Sequence, residues 1–215
     1  VYDIADRLPP LGTLADALRA LHTTKGQPLV QSVRGGTQTD GHLFHLIDPT
    51  IVALREAIAE VVREHVARLP ARDPAHPLLG SPREPIAFSG AWSVRLQAGG
   101  FHSNHVHPMG WISSALYIVL PPDLGRDQSG GAQSAGDQSG GGQAGWLTLG
   151  EPRTSSFPLD LPPTRLVEPR PGRLALFPSW MWHGTRPFGA GERLTVAFDV
   201  AVPGANRASR ASPGT

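Results

Sequence analysis

Apolar positions along the chain repeat first at helical spacing and later at strand spacing. Leu14, Ala17, Leu18 and Leu21 stand at i, i+3, i+4 and i+7, which predicts a short amphipathic helix over 13–22. A second helix is better marked. Asp48 can cap it, Pro49 suits its first turn, and Ile51, Leu54, Ile58, Val61, Val62, Val66 and Leu69 continue one broad apolar face until Pro70 ends it. Between the two, QSVRGGTQTDGHLFHLID sets a Gly35-Gly36 pair among polar neighbours and predicts a structured loop. Residues 72–85 are dominated by proline and small side chains and read as a connecting loop. From Ile86 onward the period falls to about two, predicting strands at 86–97, 105–107, 113–120, 145–149, 164–168, 172–177, 181–186 and 193–201. Many short strands with no helical pattern between them argue for a mainly β fold, an antiparallel sandwich or barrel with the two helices packed outside it. The expected organisation is a helical extension over 1–85, a β core over 86–203 and a disordered tail over 204–215. One stretch interrupts the core: 125–145 contains DQSGG twice and almost no apolar side chain. It cannot bury enough surface to offset chain entropy, and a flexible insertion between two strands is expected there.

Composition narrows the chemistry. At 215 residues the chain can build one domain with a sizeable core. It has no cysteine, which excludes disulfides, zinc–thiolate sites, iron–sulfur clusters and a thiol nucleophile, so any metal must be held by nitrogen and oxygen. Net charge is +1, and the basic residues are scattered arginines with a single lysine, Lys25. That argues against nucleic-acid or membrane partners recognised through charge. No apolar run approaches the ~20 residues needed to span a bilayer, and no basic region followed by an apolar core opens the chain. A soluble, cytoplasmic protein is expected. The first residue is Val1, which leaves room for additional domains upstream in a longer chain.

Three of the nine histidines fall within FHSNHVHP, residues 101–108, directly before the apolar run WISSALYIVLP. Residues two apart in a strand share a face, so His105 and His107 can present two imidazoles to one point while Val106 turns away. His183, in WMWHGTRPF on a later predicted strand, is the candidate third ligand. A lone histidine is more often structural. Two at strand spacing with a third downstream favour a metal site, and imidazole suits zinc, copper, iron or nickel. His102, three residues before His105, cannot share that strand face and reads as a rim or surface residue.

The double-stranded β-helix, or jelly roll, brings such positions together, and two superfamilies with that architecture are similar to this chain. Gly99 with His105-x-His107, and Gly172 with Pro178 and His183, resembles the two cupin motifs; but Trp111 stands where the first motif has glutamate, and Pro187 where the second has asparagine. The Fe(II)/2-oxoglutarate-dependent oxygenases match more residues: His105-x-His107 before a strand, His183 downstream, and Arg193 ten residues later. The chain resembles in particular a bacterial and phage branch related to prolyl hydroxylases. That branch has HxHP, a Ser-rich strand ending in tyrosine, a GxLxxG-type strand, PS-aromatic-x-x-H and R-x-T/S. Here these are His105 to Pro108, Ile112 to Tyr117, Gly145 to Gly150, Pro178 to His183, and Arg193-Leu-Thr195.

The resemblance covers about 86–201 and implies a jelly-roll hydroxylase. It implies Fe(II) on His105, His107 and His183, with 2-oxoglutarate and O2 as cosubstrates. Arg193 would grip the far carboxylate of 2-oxoglutarate, since its planar fork matches a carboxylate as lysine does not. Thr195, on the same strand face, and Tyr117, from a neighbouring strand, would add hydroxyl donors. The chain departs from the superfamily in one respect: His107 occupies the place of the usual carboxylate ligand. Asp199 shares strand parity with Arg193 and is the candidate to supply a carboxylate, although a structural hydrogen-bonding role is commoner for such a residue.

Asn104, Trp111 and Trp182 flank the proposed ligands and are candidate substrate contacts, with core packing the more ordinary role for the tryptophans. Arg34 and Gln38, in RGGTQT, are polar residues on a glycine-bearing segment of the kind that often carries function. The substrate is expected to be a small molecule or a peptide. The alternatives are a cupin-type three-histidine dioxygenase that does not use 2-oxoglutarate, and a jelly-roll binding module without activity.

Overall fold

The apolar stripes of both helices share a destination, the outer face of a six-stranded sheet. The computed structural model describes residues 1–23, 32–122, 124, 143–152 and 161–203; most of the predicted insertion at 125–145 and all of the predicted tail at 204–215 lie outside the described residues. In chain order the elements are β1 (Tyr2–Asp3), α1 (Leu11–Leu21), β2 (Val33–Gln38), α2 (Pro49–Ala67), β3 (Phe88–His102), β4 (Gly110–Val119), β5 (Leu147–Leu149), β6 (Arg165–Val167), β7 (Arg173–Pro178), β8 (His183–Thr185) and β9 (Arg193–Ala201). They form one sheet of order β1-β7-β4-β9-β3-β2 and a second of order β6-β5-β8. All the pairings are antiparallel.

Strand β9 lies between β3 and β4, so both its edges are hydrogen-bonded and both its faces are covered. Leu194, Val196, Phe198 and Val200 point to one side, where they join Leu14 and Leu18 of α1, Leu54, Ile58, Val61 and Val62 of α2, and Ile112 and Leu116 of β4 in the main core. Arg193, Thr195, Ala197 and Asp199 take the opposite side, as a period of two requires. Helix α2 starts as its sequence predicts: the Asp48 carboxylate accepts from the backbone N–H groups of Thr50 and Ile51, and Pro49 opens the first turn. Helix α1 is fixed to the sheet by charge as well as packing. Glu192, just before β9, accepts from Arg19 at 2.7 Å and from Arg95 of β3 at 2.5 Å.

The amino-terminal segment also enters the sheet, which the glycine-rich pattern concealed. VRGGTQ is the edge strand β2, not a loop. Its register shifts between Arg34 and Gly36, where Gly35 takes φ +68°. At Gly36 the strand lies so close to β3 that a Cβ would sit 2.3 Å from the Arg95 carbonyl oxygen and 2.9 Å from the Leu96 Cα. Both glycines are thus the condition of the pairing. The second correction concerns 105–107. No strand continues through Val106 and His107; His105 alone makes a bridge, to His183.

These contacts order two substitutions. Gly36→Ala is expected to destabilise the protein by about 1–3 kcal/mol, because the clash is with backbone. Gly12→Ala, in α1 with nothing within 4 Å of the added methyl, should stabilise it by up to about 1 kcal/mol. Thermal unfolding of both variants checks the order.

Candidate metal centre

His105 and His183 exchange backbone hydrogen bonds in both directions, each 2.9 Å, and this pair links the end of β3 to β8. His107 is held separately, by its backbone N–H to the Ser179 carbonyl at 2.8 Å. The three rings converge, with centroids 4.2 Å apart for His105 and His183 and 5.0 Å for His107 to either. One nitrogen from each lies within 4.8 Å of the others.

The outward nitrogens decide what the inward ones can do. Nδ1 of His105 lies 2.8 Å from the Ser103 carbonyl, and Nδ1 of His183 lies 2.9 Å from the Met181 carbonyl. A carbonyl only accepts, so each Nδ1 carries the proton and each Nε2 keeps its lone pair. Nδ1 of His107 is 2.8 Å from both carboxylate oxygens of Asp199, whose Oδ1 also accepts from Ser113 Oγ at 2.6 Å. Burial, followed by the neighbouring His105, lowers the pKa of His183 to about 3, so the ring is neutral, as a metal ligand must be. Three imidazoles oriented by acceptors behind them suit a divalent transition metal.

Beside the cluster is a cavity of about 380 Å³ whose lining includes Trp92, Val94, Val106, Ala115, Leu147, Phe177 and Ala197 along with the three histidines. At another part of its wall is Arg193, 1% exposed. Its Nη1 donates to the Gly145 carbonyl at 3.0 Å and its guanidinium lies 5.1 Å from the Tyr117 ring centre, while Nε has no partner. Among the described residues no carboxylate is paired with it, and burial lowers its pKa. A cation buried without a counter-ion costs several kcal/mol, so this wall is suited to an anionic ligand. Tyr117 is fully buried with its hydroxyl unpartnered, and burial raises its pKa. It sits opposite Thr195 in the β4–β9 register, so Arg193, Thr195 and Tyr117 share one face. The residues present therefore fit both a metal and a carboxylate ligand.

The remaining sequence-predicted residues divide. Gln38 lines the cavity. Arg34 neighbours it on β2, with Nη1 donating to the Val33 carbonyl, and does not line it. Asn104 Oδ1 packs against Gly184, where an added Cβ would meet it at 1.9 Å, and is 3.5 Å from Thr148 Oγ1. Trp111 is 3% exposed in the helix-facing core and donates Nε1–H to the Leu78 carbonyl, so it is turned away from the cavity. Trp182 is half-buried and outside the lining. His102 is a correction: it lines the cavity instead of the surface, and burial, followed by the nearby Arg193, sets its pKa well below the usual histidine value. Residues 103–104 leave the strand, so counting back from His105 does not preserve the face. Asp199 bonds His107 instead of joining the cluster. Trp92 and Ser32 were missed; the alternation of Trp92 with Val94 on β3 could have revealed the first, whereas nothing local marks Ser32.

A family model described as "Putative 2OG-Fe(II) oxygenase" matches residues 90–199. Among solved structures, a Pseudomonas putida prolyl-4-hydroxylase is similar at 17% identity over 92% of this chain and 90% of that one, with a TM-score of 0.50. A Trichoplax adhaerens prolyl hydroxylase in complex with a hypoxia inducible factor oxygen degradation domain peptide fragment is similar at 15% identity, over 94% and 80%, with a TM-score of 0.51. HygX from Streptomyces hygroscopicus, with nickel and 2-oxoglutarate bound, is similar at 14% identity, over 90% and 78%, with a TM-score of 0.50. At such identities the likeness is one of fold, the double-stranded β-helix. A comparison with curated proteins gives no match.

Asp199→Asn keeps an acceptor oxygen behind His107 and removes the charge. It is expected to weaken divalent-metal binding about 10- to 100-fold, measured by calorimetric titration with Mn(II); unchanged affinity would reduce the pair to a purely structural contact.

Proposed function

The chain belongs to the 2OG-Fe(II) oxygenase family, whose model spans residues 90–199, and from that premise we propose that it is a hydroxylase acting on a small organic molecule or a peptide. The family's cofactor is Fe(II) and its cosubstrates are 2-oxoglutarate and O2. The observation that carries the reading is Arg193, a buried cation with an unpartnered Nε on the wall of the cavity that the three histidines also line.

His105, His107 and His183 would hold the metal through Nε2, their Nδ1 protons committed to Ser103, Asp199 and Met181. Bound Fe(II) supplies the redox chemistry in which 2-oxoglutarate and O2 become succinate and carbon dioxide, one oxygen atom entering succinate and the other the hydroxylated product. Arg193 would bind the far carboxylate, and Thr195 and Tyr117 would offer it hydroxyl groups from the same face. Leu147, Phe177, Val94 and Ala197 surround the site with apolar surface, which keeps water out and strengthens the cation's pull on an anion. Ala115 and Ala197 are small residues on the wall and leave the space a ligand needs.

On the substrate side, Gln38 is the favoured contact of those named from sequence, with Arg34 beside it on β2 and Asn104 and Trp182 at the margin. Trp111 is assigned to packing. A peptide substrate agrees with the peptide fragment bound in the Trichoplax neighbour, and a small molecule would fit the cavity equally. The family match favours this reading over direct attack of oxygen on a metal-bound substrate in the cupin manner.

Arg193→Ala is expected to raise the 2-oxoglutarate concentration needed for half-maximal succinate formation on the order of 10- to 100-fold, while Mn(II) affinity changes little. Equal losses of metal and keto-acid binding would remove Arg193 from the cosubstrate site. Oxygen consumption without succinate would favour the cupin-type reaction.

A further inference from the structure

In the three proposed ligands Nδ1 faces a carbonyl or carboxylate, which only accepts, whereas in a fourth histidine of the same cavity it faces a hydroxyl, which can also donate. His102 is the last residue of β3, and its ring stacks near that of His105, with centroids 6.4 Å apart and planes at 24°. Its backbone N–H donates to Thr185 Oγ1 at 2.9 Å. That hydroxyl has its own hydrogen to place, and Nδ1 of His102 lies 3.5 Å away, a contact in which either group can donate according to the tautomer of the ring. With Nδ1 as acceptor, the neutral ring carries its proton on Nε2. Nε2 then has no hydrogen-bond partner among the described residues, and the ring lines the cavity.

A protonated Nε2 is no metal ligand, and His102 does not join the cluster formed by the other three. With Nε2 protonated it is a donor on the wall of the cavity that Arg193 and the three ligands also line. His102 lines the same cavity as the metal centre and Arg193, and the carboxylates of a five-carbon keto diacid bound there are acceptors for an N–H.

We propose that His102 is a cosubstrate-binding residue, donating a hydrogen bond from Nε2 to 2-oxoglutarate. The assignment rests on the keto-acid reading above. It adds a neutral donor to the Arg193 cation, and a second donor on the cavity wall favours a ligand of one shape over acids that only satisfy the charge. Thr185 is the positioning residue, since its hydroxyl fixes which nitrogen of the ring bears the proton.

The test is calorimetric titration of 2-oxoglutarate into the Mn(II)-loaded protein, unaltered and as His102→Phe and His102→Gln. Phenylalanine keeps the ring's volume and removes the donor, whereas the glutamine amide can restore an N–H near the position of Nε2. The expected result is a loss of 2-oxoglutarate affinity of about ten-fold or more for His102→Phe, recovery of most of it in His102→Gln, and Mn(II) affinity within about three-fold of the unaltered protein in both. Normal 2-oxoglutarate binding by His102→Phe would overturn this assignment alone, as would a fall in Mn(II) affinity as large as the fall for 2-oxoglutarate. Absence of 2-oxoglutarate binding by the unaltered protein would overturn both the assignment and the cosubstrate reading.

Discussion

Strand β9 has to satisfy two environments at once, and the rest of the structure is arranged around that demand. Its even-numbered residues, Leu194 to Val200, are sealed by α1 and α2, while Arg193, Thr195 and Ala197 line the cavity and Asp199 bonds His107 behind it. A slip of one residue in its register would drive Arg193 and Asp199 into the helix-facing core and turn four apolar side chains into the site. The pairing with β3 on one edge and β4 on the other prevents it. The same strand thus places the anion-seeking guanidinium near one end and the carboxylate that orients His107 near the other.

Charge gives the site its second constraint. Three imidazole ligands bring no negative charge to a divalent cation, and the chain has a histidine where its superfamily usually has an acid. Asp199 restores a carboxylate one hydrogen bond further out, behind His107, where it is itself held by Ser113. On the proposed reading the metal is neutralised in part through an imidazole and in part by the bound keto acid. The buried Arg193 is balanced in its turn by the acid's other end. Cosubstrate and site would then complete each other's charges, which explains why a guanidinium can be buried with one nitrogen unpartnered.

How much of this could be read from the chain depends on whether the determining contact is local. Helix α2 could be read because its cap, its first-turn proline and its stripe all lie within a few residues of one another. The shared face of Arg193, Thr195 and Asp199 could be read because parity along an unbroken strand is a local property. The pair His105 and His107 was read as a strand, but their rings converge through two different anchors, the backbone of His183 and that of Ser179. Those anchors are more than seventy residues away in the chain. VRGGTQ misled in the same way: glycine weakens a strand considered alone, yet here the close approach of β3 requires it. His102 reaches the cavity from the last position of β3 and Ser32 from the bend before β2, places that no periodicity marks. The double-stranded β-helix was visible less in any single segment than in the order of motifs along the chain, motifs that lie within the residues 90–199 matched by the family model.

The central claim is that a three-histidine metal centre and a buried arginine together bind a keto acid. Its most direct measurement is the visible absorption spectrum of the Fe(II)-loaded protein, recorded without oxygen, as 2-oxoglutarate is added. A new charge-transfer band that grows to saturation with the keto acid is expected. Iron demonstrably bound, with no such band at any 2-oxoglutarate concentration, would contradict it.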